Sequence, residues 1–321
     1  MSLIGRSVPR LEDPPLLRGA GRFIDDIRLP GQLEAAFVRS PHGHAAIRAI
    51  DATAARALPG VHAVLTRDDL LPYLKQERLV VGLPSPSYRQ QRDRPVLAGD
   101  EVVHVGEPVA IVIADDRYIA EDAAALVEVD YEPLQAIADC RAALAPDAPP
   151  AHRGAPHNLL AEFDMGYGDI AAAFSGAAQV VRETIWQHRG GGHSIECRGT
   201  LARPEPHDGG LTVWSSTQTP HNAARLLGDM LGRDETQVRV ITPDVGGGFG
   251  SKLVFYPEDV AVAVAALVLG RPVKWIEDRR EHFVATTQER DQYWNVELAL
   301  EADGRIRGVR GSLIHDHGAY T

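Results

Sequence analysis

The stretch that most constrains this chain is Asp244-Val245-Gly246-Gly247-Gly248-Phe249-Gly250-Ser251-Lys252. Four glycines in five positions, with one phenylalanine among them, specify a backbone that adopts positive φ or comes very close to another group. Each glycine costs about 0.5–1 kcal/mol of chain entropy relative to alanine, so the run points to a ligand-binding loop rather than a plain turn. The flanks agree. A β-branched run over 238–241 precedes the loop; an apolar run over 260–269, opened by Pro257-Glu258-Asp259 and stopped by Gly270, follows it. Strand, glycine loop and helix in that order can offer backbone N–H groups to an anion.

Two familiar loops do not match. A Walker A motif needs glycine directly before its lysine, and Ser251 stands before Lys252. The dinucleotide fingerprint needs a third glycine where Ser251 stands. Lys252 is open to two readings, a phosphate partner or a solvated lysine. Gln218, just before an expected helix, could donate its amide to a ligand or brace the turn.

Whole-chain properties narrow the class. The 321 residues are enough for two domains with their own cores. A net charge of -11 without a long basic run argues against nucleic acid. The apolar run over 260–269 is too short to span a bilayer, and the first residues contain no apolar signal core. Two cysteines, Cys140 and Cys197, suit a reducing cytoplasm and exclude an iron–sulfur cluster held by this chain alone. The expected location is cytoplasmic. The last residues, 315–321, follow directly on an expected hairpin, which leads to the expectation of a truncated domain.

Taken in order, residues 1 to about 30 read as an irregular basic and proline-rich arm. Strands are expected over 33–38, 61–65, 108–114 and 127–131, with helices over 51–57 and 117–126, a small α/β or α+β domain. Residues 136–158, rich in alanine, proline and histidine, read as an extended linker. Beyond them, strands are expected over 180–186, 211–216 and 238–241, and a helix from Thr219 as N-cap through Pro220 to Gly232. Alternation over 293–300, a turn at Asp303-Gly304 and a run to 314 give a hairpin. His42 with His44, and His315 with His317, each place two imidazoles on one strand face, and ordinary hydrogen-bonded histidines are the preferred reading over a zinc site. At Glu196-Cys197-Arg198 the arginine could lower the thiol pKa, but an inert cysteine is preferred. There is no nucleophile elbow, H-E-x-x-H or kinase signature. The residues alone therefore give two domains and one glycine-loop site for an anionic cofactor, with the reaction open.

Several segments together resemble the molybdenum hydroxylase family, the large subunits of xanthine dehydrogenase, aldehyde oxidase and aerobic carbon monoxide dehydrogenase. The segments are 4–10 and 21–27, then Arg39-Ser40-Pro41-His42-Gly43-His44-Ala45, Leu58-Pro59-Gly60-Val61 and Val105-Gly106-Glu107-Pro108-Val109-Ala110. Trp214-Ser215-Ser216-Thr217-Gln218-Thr219-Pro220 and the loop over 246–252 complete the set. The resemblance implies an α+β chain: an arm (1–17), a small α/β hammerhead domain (18–135), a linker (136–157) and an incomplete mixed α+β molybdopterin-binding domain (158–321). It implies that Gln218 hydrogen-bonds an oxo ligand of molybdenum, and that Gly247, Gly248, Phe249 and Gly250 supply backbone contacts around the metal and its dithiolene, with no direct metal ligand from the chain. The implied cofactor is molybdopterin with molybdenum, as the cytosine dinucleotide. The 2Fe-2S and FAD centres would sit on partner subunits, an iron–sulfur small subunit and an FAD-binding medium subunit, alongside the remaining part of the large subunit.

Departures from the family pattern bear on substrate. Leu253 stands where xanthine dehydrogenase-type members carry a substrate-binding glutamate, which argues against purine hydroxylation. Cys197 replaces the usual proline in a Met-Glu-Pro-Arg-Gly pattern, leaving Glu196 and Arg198 matched. The family's catalytic glutamate is expected beyond Thr321, and neither cysteine matches the copper-binding position of carbon monoxide dehydrogenases. The expectation is thus the N-terminal part of the molybdenum-binding large subunit, serving hydroxylation of an aldehyde or N-heterocycle with oxygen from water, or CO oxidation. The alternatives are a non-catalytic remnant or assembly module of that fold, and a phosphate- or nucleotide-binding protein using 246–252.

Overall fold

The computed structural model describes residues 3–79 and 85–321; residues 1, 2 and 80–84, within the expected arm and first domain, lie outside the described residues. The first segment contains α1 (Asp13–Leu17), β1 (Leu33–Arg39), β2 (Ala45–Asp51), α2 (Thr53–Ala57), β3 (Val61–Thr66) and α3 (Arg67–Leu70). Three short strands follow, β4 (Arg78–Leu79), β5 (Arg94–Pro95) and β6 (Glu101–Val102), then β7 (Pro108–Ala114), α4 (Arg117–Ala125) and β8 (Glu128–Pro133). The second segment runs α5 (Ile170–Ser175), β9 (Gln179–Gln187), β10 (Gly199–Pro204), β11 (Leu211–Ser215), α6 (Pro220–Leu231) and β12 (Val238–Ile241). It ends with α7 (Pro257–Leu269), β13 (Val273–Ile276), α8 (Arg279–Ala285), β14 (Gln292–Leu300) and β15 (Ile306–His315).

The expected strands and helices are present, within a few residues of their expected bounds; α1, β2, α3, β4, β5, β6, α5, β10, β13 and α8 are additions, and β10 and β13 matter most because they complete the main sheet. The signals of these two strands are weak for physical reasons: β10 begins at glycine and ends at proline, and β13 is four residues with a lysine inside. Lys274 is nevertheless fully buried, because its ammonium meets Asp25 Oδ1 at 3.1 Å and the Ile27 carbonyl at 3.3 Å. Those partners come from the N-terminal arm, about 250 residues away, and so leave no local trace in the sequence.

One seven-stranded sheet, in the order β12-β11-β10-β13-β1-β7-β3, draws strands from both segments. The junction is a parallel pairing of β1 with β13, Leu33 opposite Val273 and Glu34 opposite Lys274. The sequence reading, which separates the segments by a linker, does not anticipate this shared sheet. β7 is buried at every position, as a strand paired on both edges and covered on both faces should be. α7 lies in the core: residues 260–266 are fully buried, which matches a helix that is apolar all round rather than on one stripe. Phe37 from the first segment meets Trp275 from the second edge-on, with ring centroids 5.2 Å apart.

The connection over 136–157 is a folded segment rather than an extended one. It contains a 3-10 turn at Ala142–Leu144, and Asn158 clasps it by donating to the Ala143 and Pro149 carbonyls and accepting from the Ala151 N–H. Tyr320 folds back onto the first segment, where its hydroxyl donates to the Glu107 carboxylate. A separate sheet, β15-β14-β9, carries the expected hairpin, with Gly304 at a positive φ in its turn. Among the described residues no helix is long and apolar enough to cross a membrane.

Candidate functional site

β11 and β12 are parallel neighbours, Leu211 opposite Val238 and Trp214 opposite Ile241, joined by α6. The carboxyl end of β11 releases Ser216-Thr217-Gln218, and the carboxyl end of β12 releases the glycine loop. A crevice outside the carboxyl ends of parallel strands is a recurrent ligand position in such sheets. α6 fits its sequence signals in part. Pro220 is in its first turn and Gly232 ends it at φ 63°, but the Thr219 hydroxyl does not cap the helix; it donates to the Leu253 carbonyl at 3.1 Å. That bond ties the start of α6 to the far end of the loop.

Gln218 is exposed and interlocked with the loop. Its N–H donates to the Lys252 carbonyl at 2.9 Å, and its Oε1 accepts from the Gly250 N–H at 3.1 Å. A Cβ at position 248 would stand 2.5 Å from Gln218 Oε1, so glycine is required there by close approach. Gly247 and Gly250 have φ of 98° and 95°, and Phe249, at 53°, is one of few non-glycine residues in the left-handed region. That conformation costs a phenylalanine about 1–3 kcal/mol, and it is retained with the ring 75% exposed. Among the described residues, the N–H groups of Gly247, Gly248 and Phe249 and the side-chain NH2 of Gln218 have no hydrogen-bond partner. The result is a cluster of unspent donors on one crevice, suited to a ligand rich in acceptor oxygens.

A single carboxylate oxygen holds this crevice in shape. Glu196 Oε2 accepts from Ser216 Oγ at 2.7 Å, from the Gly246 N–H at 2.8 Å and from Lys252 Nζ at 2.7 Å. Ser216 precedes Gln218 by two residues, while Gly246 and Lys252 bracket the loop, so Glu196 ties the Gln218 segment to both ends of the glycine loop. Lys252 is fully buried. Burial lowers its pKa while the Glu196 carboxylate works against that. Both expectations for Lys252 are therefore corrected: it is not solvated, and with its ammonium spent on Glu196 it is not a phosphate ligand.

Behind the crevice lies a buried charge network that links the two segments. Arg198 stacks on the Tyr256 ring at 3.9 Å and pairs with Glu277, Nε to Oε1 at 2.9 Å, and with Glu258, Nη1 to Oε2 at 3.2 Å. Glu258 also receives Arg39 Nη1 from β1 at 2.9 Å, and Arg39 Nε reaches Glu281 at 2.8 Å. Burial acts to raise the Glu258 pKa, but Arg198 and Arg39 outweigh it and hold the carboxyl at about 2. Glu277 is likewise held well below the usual range by Arg198 against burial. Arg39, Glu258 and Glu277 were not singled out by the sequence; Glu258 reads there only as an acidic residue opening a helix.

The remaining candidates do other work. Burial pushes the Cys197 thiol up, with Arg279 only opposing, so it is not an activated nucleophile. Cys197, Glu277 and His282 come within 4.8 Å of one another, but the Glu277 oxygens are already taken by Arg198, His282 and Thr286. His44 Nδ1 pairs with the Gln135 carbonyl, His315 Nδ1 with the Gln292 side chain, and His317 Nδ1 with the Tyr320 carbonyl.

Comparison with known proteins adds two domain matches: a molybdopterin cofactor-binding domain over residues 151–321, and an aldehyde oxidase and xanthine dehydrogenase a/b hammerhead domain over residues 18–135. The chain is 40% identical over 322 residues to the nicotine 6-hydroxylase large subunit of Paenarthrobacter nicotinovorans, a match covering 99% of this chain and 39% of that protein. It is 40% identical to the carbon monoxide dehydrogenase large chain of Hydrogenophaga pseudoflava, covering 96% of this chain and 39% of that one. Quinoline 2-oxidoreductase from Pseudomonas putida 86 superposes with a TM-score of 0.90 at 37% identity, over 99% of this chain and 40% of its own. The chain thus spans about two fifths of the length of the relatives it matches.

Proposed function

We propose a function from the premise that this chain belongs to the aldehyde oxidase and xanthine dehydrogenase family of molybdopterin-binding proteins: it forms one wall of the molybdenum cofactor site in an oxidoreductase large subunit. The observation that carries this reading is the set of unspent donors, Gln218 Nε2 and the N–H groups of 247–249, on one crevice. When bound, molybdopterin with molybdenum would supply the redox chemistry, with oxygen drawn from water. The chain's own contribution is orientation. Gln218 and the N–H groups of Gly247, Gly248 and Phe249 would bind acceptor oxygens of the cofactor, and Gly250, bonded to Gln218 Oε1, would fix which end of that amide faces it. Glu196 and Lys252 would hold the two sides of the crevice at a constant separation without touching the ligand.

We assign residues 18–135 to a hammerhead unit and 158–321 to a first cofactor-binding unit. The cofactor would be the cytosine dinucleotide form, with iron–sulfur and FAD subunits and the remaining large-subunit length as partners, in the cytoplasm. Leu253, whose N–H donates to the Gly250 carbonyl at the end of the loop, is 53% exposed, and an apolar side chain there favours an aldehyde or a non-purine N-heterocycle over a purine, whose ring edge needs polar partners. The test uses the complex assembled with its partners. Gly248→Ala should lower molybdenum and pterin content at least tenfold, because the added Cβ displaces Gln218, while the melting temperature of the cofactor-free chain stays within a few degrees. Full cofactor content in Gly248→Ala would remove the crevice from the site, and wild-type complex without pterin would favour a non-catalytic remnant.

A further inference from the structure

We infer that Ser251, braced by Tyr256, is a positioning residue: it holds the Gly248–Phe249 peptide in a strained orientation that turns the Phe249 N–H outward, where a ligand can take it. The inference rests on the cofactor-wall reading above. A trans peptide points its C=O and the following N–H in opposite directions, so whatever holds the Gly248 carbonyl also aims the Phe249 N–H. One residue holds that carbonyl twice. It accepts from the Ser251 N–H at 3.1 Å and from Ser251 Oγ at 2.8 Å. Ser251 is buried, so the carbonyl points into the loop. The Phe249 N–H, without a partner among the described residues, points out.

This orientation is costly. Phe249 lies at φ 53° and Gly250 at 95°, both in the left-handed region, within the turn that the Ser251 N–H closes. Turning the 248–249 peptide over would shift the φ of Phe249 by about 180°, into the extended range that any residue adopts. Gly248 could follow without steric cost, since it has no Cβ. The backbone by itself therefore favours the reversed peptide, and the bonds from Ser251 to the Gly248 carbonyl oppose it. A donor presented only at the expense of backbone strain belongs to a binding loop rather than to a plain turn.

Ser251 is itself fixed from two sides. Its hydroxyl also lies 2.9 Å from the Gly192 carbonyl, so one hydroxyl proton is shared between two acceptors. Gly192 comes this near because it has no side chain: a Cβ there would stand 2.8 Å from the Phe249 carbonyl oxygen. One glycine of the run Gly190-Gly191-Gly192 is thereby explained. On the other side, Tyr256 Oη donates to the Ser251 carbonyl at 2.6 Å and accepts from the Thr287 N–H at 3.2 Å. The Tyr256 ring stacks with Arg198, so the peptide's orientation is anchored on the buried charge network. Ser251 and Tyr256 are both buried and act through the peptide they hold.

Ser251→Ala tests this with two readouts. In a crystal structure of the cofactor-free 321-residue variant, Phe249 should have a negative φ, with its N–H turned inward. A positive φ retained there would overturn the inference. In the complex assembled with its partners, the same variant should lower molybdenum and pterin content at least about threefold, the effect of one lost hydrogen bond. Ser251→Ala/Phe249→Asn should recover most of that content, because asparagine accepts positive φ at little cost and removes the drive to turn over. A residue that merely stabilised the fold would give no such recovery. Unchanged content in the single variant, or no recovery in the double one, would overturn the inference. Should Ser251→Ala not fold, Tyr256→Phe, which keeps the ring on Arg198, takes its place with the same readouts and the same overturning results. A wild-type complex without pterin would remove the cofactor reading alone, since the φ of Phe249 is measured without cofactor.

Discussion

In the seven-stranded sheet β7 is buried at all seven positions, whereas in the three-stranded sheet only Ala299 of the three strands is fully buried. Both sheets obey the same pairing rules, and both are made of β-branched and aromatic residues. What differs is the neighbourhood. β7 lies between β1 and β3 with α7 beside it, while β9, β14 and β15 have α5 on one face and an open face on the other. Alternation in a strand reports that a face is apolar; it does not report what covers it.

The contrast can be broken or sharpened by substitution. The largest effect is expected from Arg198→Met. It leaves Glu258 and Glu277 buried without their main counter-charge and should cost about 3–5 kcal/mol of unfolding free energy, read from urea denaturation. Matched truncations come next. Ile111→Ala in β7 should cost about 2–5 kcal/mol, and Ile185→Ala in β9 no more than about 0.5 kcal/mol. Similar losses at the two sites would show that the three-stranded sheet is covered in solution.

A smaller, graded effect is expected from acid. The Glu258 pKa is about 2 in the folded chain against an ordinary 4.5, so its contribution is complete above about 4.5 and is lost as pH falls towards 2. The urea midpoint should decline over that window, and Arg198→Met should flatten the decline. The smallest effect belongs to the exposed row Arg182–Glu297–Arg310: Arg310→Gln should shift the midpoint slightly in low salt and not measurably at 1 M salt, where screening reaches about 3 Å.

Much of the local structure was legible because its causes are local. The glycine run, Pro220 with Gly232 around α6, the apolar α7 and the Asp303-Gly304 turn each act within a few residues. Gln218 and the loop could be linked through family resemblance, but not from spacing, since they meet only because β11 and β12 are parallel neighbours. Lys252 was misread for the same reason. Nothing near it in sequence shows that Glu196, 56 residues earlier, accepts its ammonium in a buried site. Lys274 and Arg39 repeat the pattern, with partners contributed by the arm and by α7.

By itself the sequence determined where the backbone must bend, which helix must be buried all round and which strand faces are apolar, because propensity and periodicity are properties of neighbouring residues. Tertiary structure alone decided which charges are neutralised, that two segments share one sheet, and that Gln218 is bonded to the glycine loop. Those outcomes depend on Coulomb attraction and hydrogen bonds between groups tens to hundreds of residues apart, which are brought to 2.7–3.1 Å only once the sheet has formed.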